Sequence, residues 1–242
     1  MPKLRRVSGE ETVRAAVLIL LVLVVPACAT PPPPELPPGE IVQRAARAML
    51  AQSSLHFKIE ISGAAVTINP GLGLSLRSAE GDFARPDRMG VFLKILSPVA
   101  AIEADMIALG DEQYITNFLT QQWEPLPAAF GFNPAVMFHP DYGLEKTLQG
   151  GLDDAALAGV ESIDGAPAYR VAGSLDGARL QFMSGGLISA GRVDVDVWVD
   201  AQAFAVRRVV LVDTATSAEK PSTWTLTFGK FGMPVTIEAP VK

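Results

Sequence analysis

The stretch RVDVDVWVD, residues 192–200, sets the pattern that determines the fold of this 242-residue chain. Every second residue from Val193 to Val199 is a valine, and the positions between them hold aspartates and Trp198. Successive side chains of a β-strand point to opposite faces, so one face of this segment is apolar and the other is polar. The stretch therefore predicts a half-buried strand of an antiparallel sheet.

The same period of two recurs along much of the chain. It is found in LHFKIEIS (residues 55–62), GLGLSL (71–76), MGVFLKI (89–95) and AIEADMI (101–107). Turn signals separate such segments at Gly110-Asp111, Asp164-Gly165, Asp176-Gly177 and Asp200-Ala201. Because these pairs favour tight hairpin turns, the pattern predicts one antiparallel sheet that is mostly a meander.

Two segments depart from the strand pattern and predict helices. In EIVQRAARAMLAQSS (residues 40–54), helical spacing is shared by Ile41, Ala45, Ala48, Met49 and Gln52, so we expect an amphipathic helix against the sheet. In FNPAVMFHPDYGLEKTLQGG (132–151), Asn133-Pro134 suits a helix start, His139-Pro140 suits a second start, and Gly150-Gly151 ends the unit. The expected fold class is α+β, with helices on one side of the sheet.

The N-terminal region differs from the rest in composition. Four basic residues precede the run AAVLILLVLVV (residues 15–25), which as a helix would span about 16 Å, half of a bilayer core. That length is typical of an export signal. The next segment, VPAC, resembles the bacterial lipobox, which implies that residues 1–27 are a lipoprotein signal peptide and that Cys28 becomes lipidated. An ordinary secretory signal with a free Cys28 is the alternative.

Residues 28–39 follow as a proline-rich tether in which no helix is expected, and residues 40–242 are predicted to form a single domain. Polyproline geometry gives about 3.1 Å per residue, so the tether holds the domain just off a membrane surface. The net charge of −6 argues against nucleic acid as a partner, because phosphate contacts require a basic surface. The single cysteine excludes an internal disulfide and a zinc cluster.

Catalytic and metal-binding patterns are scarce. Neither His56 nor His139 lies in a metal-binding helix motif, and no nucleophile elbow is present. GLGLS lacks the lysine of a phosphate-binding loop, and the aspartates of residues 194–200 fit a solvated strand face better than a calcium loop. We therefore predict no catalytic residue, no metal and no cofactor. An esterase with a Ser/His pair assembled by the fold remains an alternative.

Six longer segments carry a resemblance to a known family. They are SAEGDFARPDRMGVFLKI (78–95), DEQYITNFLTQQWEPL (111–126), FNPAVMFHPDYGLEKTL (132–148), VESIDGAPAYRVAG (160–173), VWVDAQAFAVRRV (197–209) and LTFGKFGMPVTIEAP (226–240). In this order they resemble the LppX/LprG family of bacterial lipoproteins, over about residues 53–240. The resemblance implies a LolA/LolB-like fold, in which a strongly curved antiparallel half-barrel and helices on its concave face enclose an apolar cavity.

The resemblance also implies a function. Family members bind acylated lipids or glycolipids and move them from the cytoplasmic membrane outward, so the expected cargo is acyl lipid. The expected protein is a monomer anchored through Cys28 on the outer face of the cytoplasmic membrane, with an envelope transporter as a partner. By face, the cavity candidates are Phe57, Ile59, Ile61, Leu93, Ile95, Ile102, Met106, Phe118, Val136, Leu144, Leu148, Val195 and Val197.

Periodicity alone does not distinguish a cavity wall from a filled core, because both are lined by the same apolar side chains. Two further hypotheses about the function therefore stay open. The first is a structural or assembly lipoprotein with a filled core that binds other envelope proteins. The second is a chaperone for other lipoproteins.

Overall fold

The alternating segments form one antiparallel sheet of twelve strands in the computed structural model, which describes residues 33–126 and 134–240. The strands are β1 (Ser54–Ser62), β2 (Val66–Asn69), β3 (Leu74–Ala84), β4 (Arg88–Leu96), β5 (Ala101–Leu109), β6 (Glu112–Thr116), β7 (Trp123–Pro125), β8 (Asp153–Ile163), β9 (Ala166–Asp176), β10 (Arg192–Asp200), β11 (Val206–Asp213) and β12 (Ser222–Gly229). The spatial order is β7-β6-β5-β4-β3-β1-β12-β11-β10-β9-β8, and β2 pairs with β3 beside this path. The sheet is not closed, so β7 and β8 are its end strands.

The prediction from residues 192–200 is confirmed. This stretch is β10, and all four of its valines are buried with at most 3% of their surface exposed. The other predicted strands occupy β1, β3, β4 and β5. One residue differs: Leu72 lies in a 3-10 helix, Pro70–Leu72, since Pro70 ends the preceding strand and β3 begins only at Leu74.

The register places the ends of the strands at two opposite rims. β1 begins at Ser54 and ends at Ser62, and we name the two edges the Ser54 rim and the Ser62 rim. Following the pairing through β12 and β11 puts Asp200, the end of β10, at the Ser54 rim and Arg192 at the Ser62 rim. The β9–β10, β4–β5 and β6–β7 connections therefore lie at the Ser62 rim.

The predicted amphipathic helix is confirmed as α1 (Pro38–Leu50), which buries Ile41, Val42, Ala45, Ala46 and Met49. It begins two residues inside the segment for which no helix was expected, so that expectation is wrong at Pro38 and Gly39. The physical reason is that proline suits the first turn of a helix, where its missing N–H has no partner to lose. Across residues 33–126 and 134–240, no helix combines the length and the apolar character that crossing a bilayer requires.

The tether is also attached to the domain at its C-terminal end. The hydroxyl of Tyr169 donates a hydrogen bond of 2.7 Å to the backbone carbonyl of Pro34, and Leu36 packs against the hydrophobic core. The apolar run 15–25, Cys28 and Asn133 lie outside the described residues.

The middle segment contains a 3-10 helix (Pro134–Phe138) and a short α-helix, α2 (Leu144–Gln149). The second helix begins at Leu144 rather than at the expected His139-Pro140. The reason is a closed turn before it: the Gly143 N–H donates to the His139 carbonyl at 2.7 Å, and the Asp141 N–H donates to His139 Nδ1 at 3.2 Å. Gly150 caps α2, as predicted.

One predicted hairpin is wrong. Asp176-Gly177 does not form a tight turn; residues 177–191 instead form a long loop between β9 and β10, which we name the 177–191 loop. Its base is closed by a 2.6 Å hydrogen bond from the Gly177 N–H to the Gly191 carbonyl, and the Asp176 carboxylate accepts the N–H groups of Ala178 and Gly191. Compact loops whose ends meet in this way are recurrent surface elements.

Candidate functional site

A pocket of about 500 Å³ lies against the apolar face of the sheet. Its wall is formed by side chains of β1–β7 and β9–β12, and its other side by Met137, α2 and the 177–191 loop. The wall is mostly aliphatic, with a few polar side chains such as Asn69, Thr116 and Asn117 and the charged side chain of Glu124. The volume falls within the range of about 300–1,000 Å³ that is typical of small-molecule sites.

Ten of the thirteen predicted cavity residues line this pocket: Phe57, Ile59, Leu93, Ile95, Ile102, Met106, Phe118, Leu144, Leu148 and Val195. The other three do not. Ile61 and Val197 are buried in the hydrophobic core, with 3% and 0% of their surface exposed, and Val136 is partly buried in the 3-10 helix. Contact between these residues and a lipid stays a prediction.

The 177–191 loop contributes lining residues that the sequence reasoning missed: Leu180, Met183, Leu187 and Ile188. Their spacing of three and four residues was a usable signal, because it places apolar side chains on one side of a helical turn. The guanidinium of Arg179 joins this loop to α2, since Nη2 donates to the carbonyls of Thr147 and Gly151, each at 3.0 Å. The two covering segments are thus held together.

The pocket opens at the Ser62 rim. Leu72 and Phe118 both line the pocket and are nevertheless 64% and 55% exposed, so they stand at its mouth. The polar lining residues Asn69 and Asn117 belong to the same rim, and Asn117 Nδ2 donates to Glu124 Oε1 at 3.0 Å. A shallow groove continues outward from the mouth along Leu72, Val99 and Phe118.

Four phenylalanines pack together near the Ser54 rim. The ring of Phe138 stacks on Phe83 with centroids 4.4 Å apart and lies 5.9 Å from Phe57 and 6.4 Å from Phe228. Phe138 is completely buried, and of the four only Phe57 borders the pocket. Aromatic pairs at these distances contribute beyond their buried area, so the cluster is a stable attachment for the 3-10 helix.

Arg85 connects the helical segments to the sheet. Its Nε donates to the Gln52 carbonyl at 2.9 Å, its Nη1 to the Phe138 carbonyl at 3.0 Å, and its Nη2 to the Met49 carbonyl at 3.3 Å and to the carboxylate of Glu145. Glu145 is completely buried. Burial raises the pKa of the Glu145 carboxyl above its ordinary value, and its backbone N–H and Arg85 oppose that shift. We name this set of contacts the Arg85 clamp.

The other candidate chemical groups lie apart from the pocket. His56 Nδ1 lies 2.8 Å from Asp82 Oδ1 on the polar face, and the His139 ring stacks on Tyr142 at 3.7 Å. The aspartates of β10 are each paired with an arginine, at distances of 2.8 Å for Asp194, 2.8 Å for Asp196 and 3.2 Å for Asp200. In the described part of the chain, no three His, Asp, Glu or Cys side chains come together to hold a metal ion.

Two solved structures share this fold. The crystal structure of LprF from Mycobacterium bovis superposes with a TM-score of 0.68 at 17% identity, covering 87% of this chain and 100% of that one. The Mycobacterium tuberculosis lipoprotein LppX superposes with a TM-score of 0.60 at 15% identity, covering 83% of this chain and 98% of that one. This chain therefore shares its fold with LprF and LppX.

The sequence shows the family. Residues 37–237 match the model of the LppX_LprAFG lipoprotein family, and this chain belongs to that family. The lipoarabinomannan carrier protein LprG of Mycobacterium tuberculosis and that of Mycobacterium bovis are each 26% identical over 161 residues. The match spans 66% of this chain and 65% of the length of those relatives. The resemblance stated from the six sequence segments is confirmed.

Proposed function

We propose that this chain is a lipid-anchored envelope protein that binds an acylated lipid or glycolipid in its apolar pocket and transfers it between membrane layers. The observation that carries the proposal is the pocket itself, a mostly aliphatic space open at the Ser62 rim. Membership of a lipoprotein family and the naming of its LprG relatives as lipoarabinomannan carriers support it. The protein acts by binding, without a catalytic step or a cofactor.

The energy of lipid transfer explains why a carrier is needed. Each buried CH₂ group is worth about 0.8 kcal/mol, so moving a diacyl lipid with about 30 methylenes into water costs on the order of 24 kcal/mol. An apolar pocket lowers this cost because the chains never become fully hydrated. No covalent chemistry is required for this transfer.

The finer architecture is part of the proposal. The sheet is taken as a strongly curved half-barrel, with the helices and the 177–191 loop over its concave face enclosing the lipid cavity. Residues 132–151 act as a lid that opens against the restraint of the Phe138 ring cluster and the Arg85 clamp, and the hydrogen bonds of Arg179 make the 177–191 loop move with it. Locking the lid to the sheet with an engineered disulfide is expected to block lipid loading, and unchanged loading contradicts this role.

Anchoring completes the proposal. Residues 1–27 are removed as a signal peptide, and Cys28 carries the diacylglycerol that holds the monomer on the outer face of the cytoplasmic membrane, where an envelope transporter supplies or receives cargo. Because Pro34 is bound to Tyr169, the tether is attached to the domain at Pro34. Cys28→Ser is expected to release the protein from membranes while lipid binding persists, which cell fractionation and lipid extraction measure.

The decisive experiment identifies lipid in protein purified from its own membranes, by native mass spectrometry. Stoichiometric acyl lipid is expected. Ala104→Trp places an indole in the pocket wall and is expected to remove most of that lipid, whereas Ala158→Trp makes the same change on the exposed surface of β8 and is expected to keep it. Lipid-free wild-type protein, or equal lipid in both variants, contradicts the proposal and favours a scaffold for other envelope proteins.

A further inference from the structure

Three turns at the Ser62 rim present apolar side chains to solvent. The exposed fractions are 64% for Leu72, 93% for Val99, 55% for Phe118 and 79% for Leu119. Residues 69–73, 96–101 and 116–122, which form these turns, contain no charged side chain, although 19% of the chain is charged. A group of exposed apolar side chains on neighbouring turns is the mark of an interaction surface. We name these four side chains the rim patch.

Polar side chains within the turns accept hydrogen bonds from backbone N–H groups of the same turns. Asn69 Oδ1 accepts the Leu72 N–H at 3.1 Å, Ser97 Oγ accepts the Ala100 N–H at 3.1 Å, and Asn117 Oδ1 accepts the Leu119 N–H at 2.9 Å. An apolar medium offers no water to an unpaired N–H group, so only a turn with internal partners enters it cheaply. The rim patch is therefore built on turns suited to leaving water.

The rim patch borders the mouth of the pocket. Leu72 and Phe118 line both the pocket and the groove outside it, and Val99 lines the groove. An acyl chain that leaves the pocket thus passes directly along the rim patch. This continuity favours a lipid surface as the occupant, because cargo then moves between two apolar environments without crossing water.

The described part of the tether, from Pro33 onward, enters the domain away from the rim patch. Pro34 is held by Tyr169, which pairs with Val199 near the Ser54 rim. Nine residues of strand separate the two rims by about 30 Å. Pro34 is therefore held near the rim opposite to the mouth of the pocket.

We propose that the rim patch is a membrane-docking surface that enters the interface of a lipid bilayer while the pocket exchanges its cargo. This inference rests on the proposed carrier function and adds the surface through which the carrier works. Because the patch is uncharged and the chain has a net charge of −6, docking does not depend on anionic lipid. Zwitterionic phosphatidylcholine is the matching surface, and salt leaves the contact unchanged.

The test places an environment-sensitive fluorophore on the mature chain, residues 28–242, so that the apolar run 15–25 does not itself bind vesicles. In a Cys28→Ser background, Val99→Cys provides the only thiol on the rim patch, and Val160→Cys provides a matched site on β8, where Val160 is 45% exposed. With phosphatidylcholine vesicles, emission from the label at position 99 is expected to shift to the blue and to be quenched by spin-labelled acyl chains. Emission from the label at position 160 is expected to stay unshifted.

Two results overturn the proposal: no shift at position 99, which points to a protein partner, or a shift that requires anionic lipid. Neither result affects the lipid found in purified protein, so failure of docking and failure of the carrier function are distinguishable. As a second measurement, Val99→Asp is expected to slow lipid uptake from vesicles about tenfold, equivalent to about 1.4 kcal/mol. Val160→Asp is expected to leave the rate unchanged, and equal rates for the two variants overturn the proposal.

Discussion

Replacing Arg85 with methionine tests whether the Arg85 clamp holds the helical segments on the sheet. Methionine keeps much of the apolar stem but removes every donor, so the buried carboxylate of Glu145 loses its partner. Breaking a buried ion pair from one side costs about 3–5 kcal/mol. Loss of the hydrogen bonds to the three backbone carbonyls is expected to cost less than the sum of three separate hydrogen bonds, because Arg85 is 20% exposed and water reaches part of the site. We expect a loss of about 4 kcal/mol.

For a domain of this size, about 4 kcal/mol corresponds to a fall in Tm of about 8–16 °C. Thermal and urea unfolding followed by circular dichroism measure it. Arg47→Met is the matched control, because Arg47 is exposed on α1, and it is expected to change stability by less than about 0.5 kcal/mol. The double variant Arg85→Met/Glu145→Leu is expected to be more stable than Arg85→Met alone. A loss below about 1 kcal/mol, or no recovery in the double variant, refutes the reasoning.

Three further predictions concern the same domain. Because burial raises the pKa of Glu145, the folded state binds the proton of this carboxyl more tightly than the unfolded state does. The free energy of unfolding is therefore expected to rise as the pH falls from the raised pKa toward the pKa of the unfolded state. Glu145→Gln should remove that slope, and parallel stability–pH curves for variant and wild type would contradict the prediction. Phe138→Ala is expected to cost about 3–5 kcal/mol in chemical denaturation, against less than about 0.5 kcal/mol for the exposed Phe118→Ala. Gly177→Ala places a Cβ 1.9 Å from the Ser189 carbonyl oxygen and should cost about 1–3 kcal/mol, while Gly229→Ala, with open space around it, should cost far less in the same assay.

The strands were predictable because alternation reports directly on a half-buried sheet. The valines of β10 and the apolar side of α1 follow from periods of 2 and 3.6 alone. The 177–191 loop was not predictable from Asp176-Gly177, because its shape depends on contacts distant in sequence. The buried carboxylate of Asp213, for example, accepts the Ser189 N–H at 3.0 Å and positions that end of the loop.

Periodicity predicts which face of a strand turns toward the pocket, but it does not predict which positions along that face line the pocket. Ile59 lines it and Ile61 does not, and Val195 lines it while Val197 does not, although each pair lies on one face of one strand. Periodicity assigns a side chain to a face, whereas its position along the strand decides whether packed helices or open space lie above it. What lies above each position along the strand depends on the packing of α1, α2 and the 177–191 loop, and no local sequence pattern encodes that packing.

The open sheet has a consequence for proteins crowded on a surface. Unpaired end strands can recruit a strand of a neighbouring chain, and confinement to a membrane would bring many copies together. Here one end strand, β7, has only three residues and finishes with Pro125. The other, β8, shifts register twice against β9 and takes positive φ at Asp154 and Gly159. Neither offers a regular template, so we expect dense populations to resist strand-to-strand polymerisation.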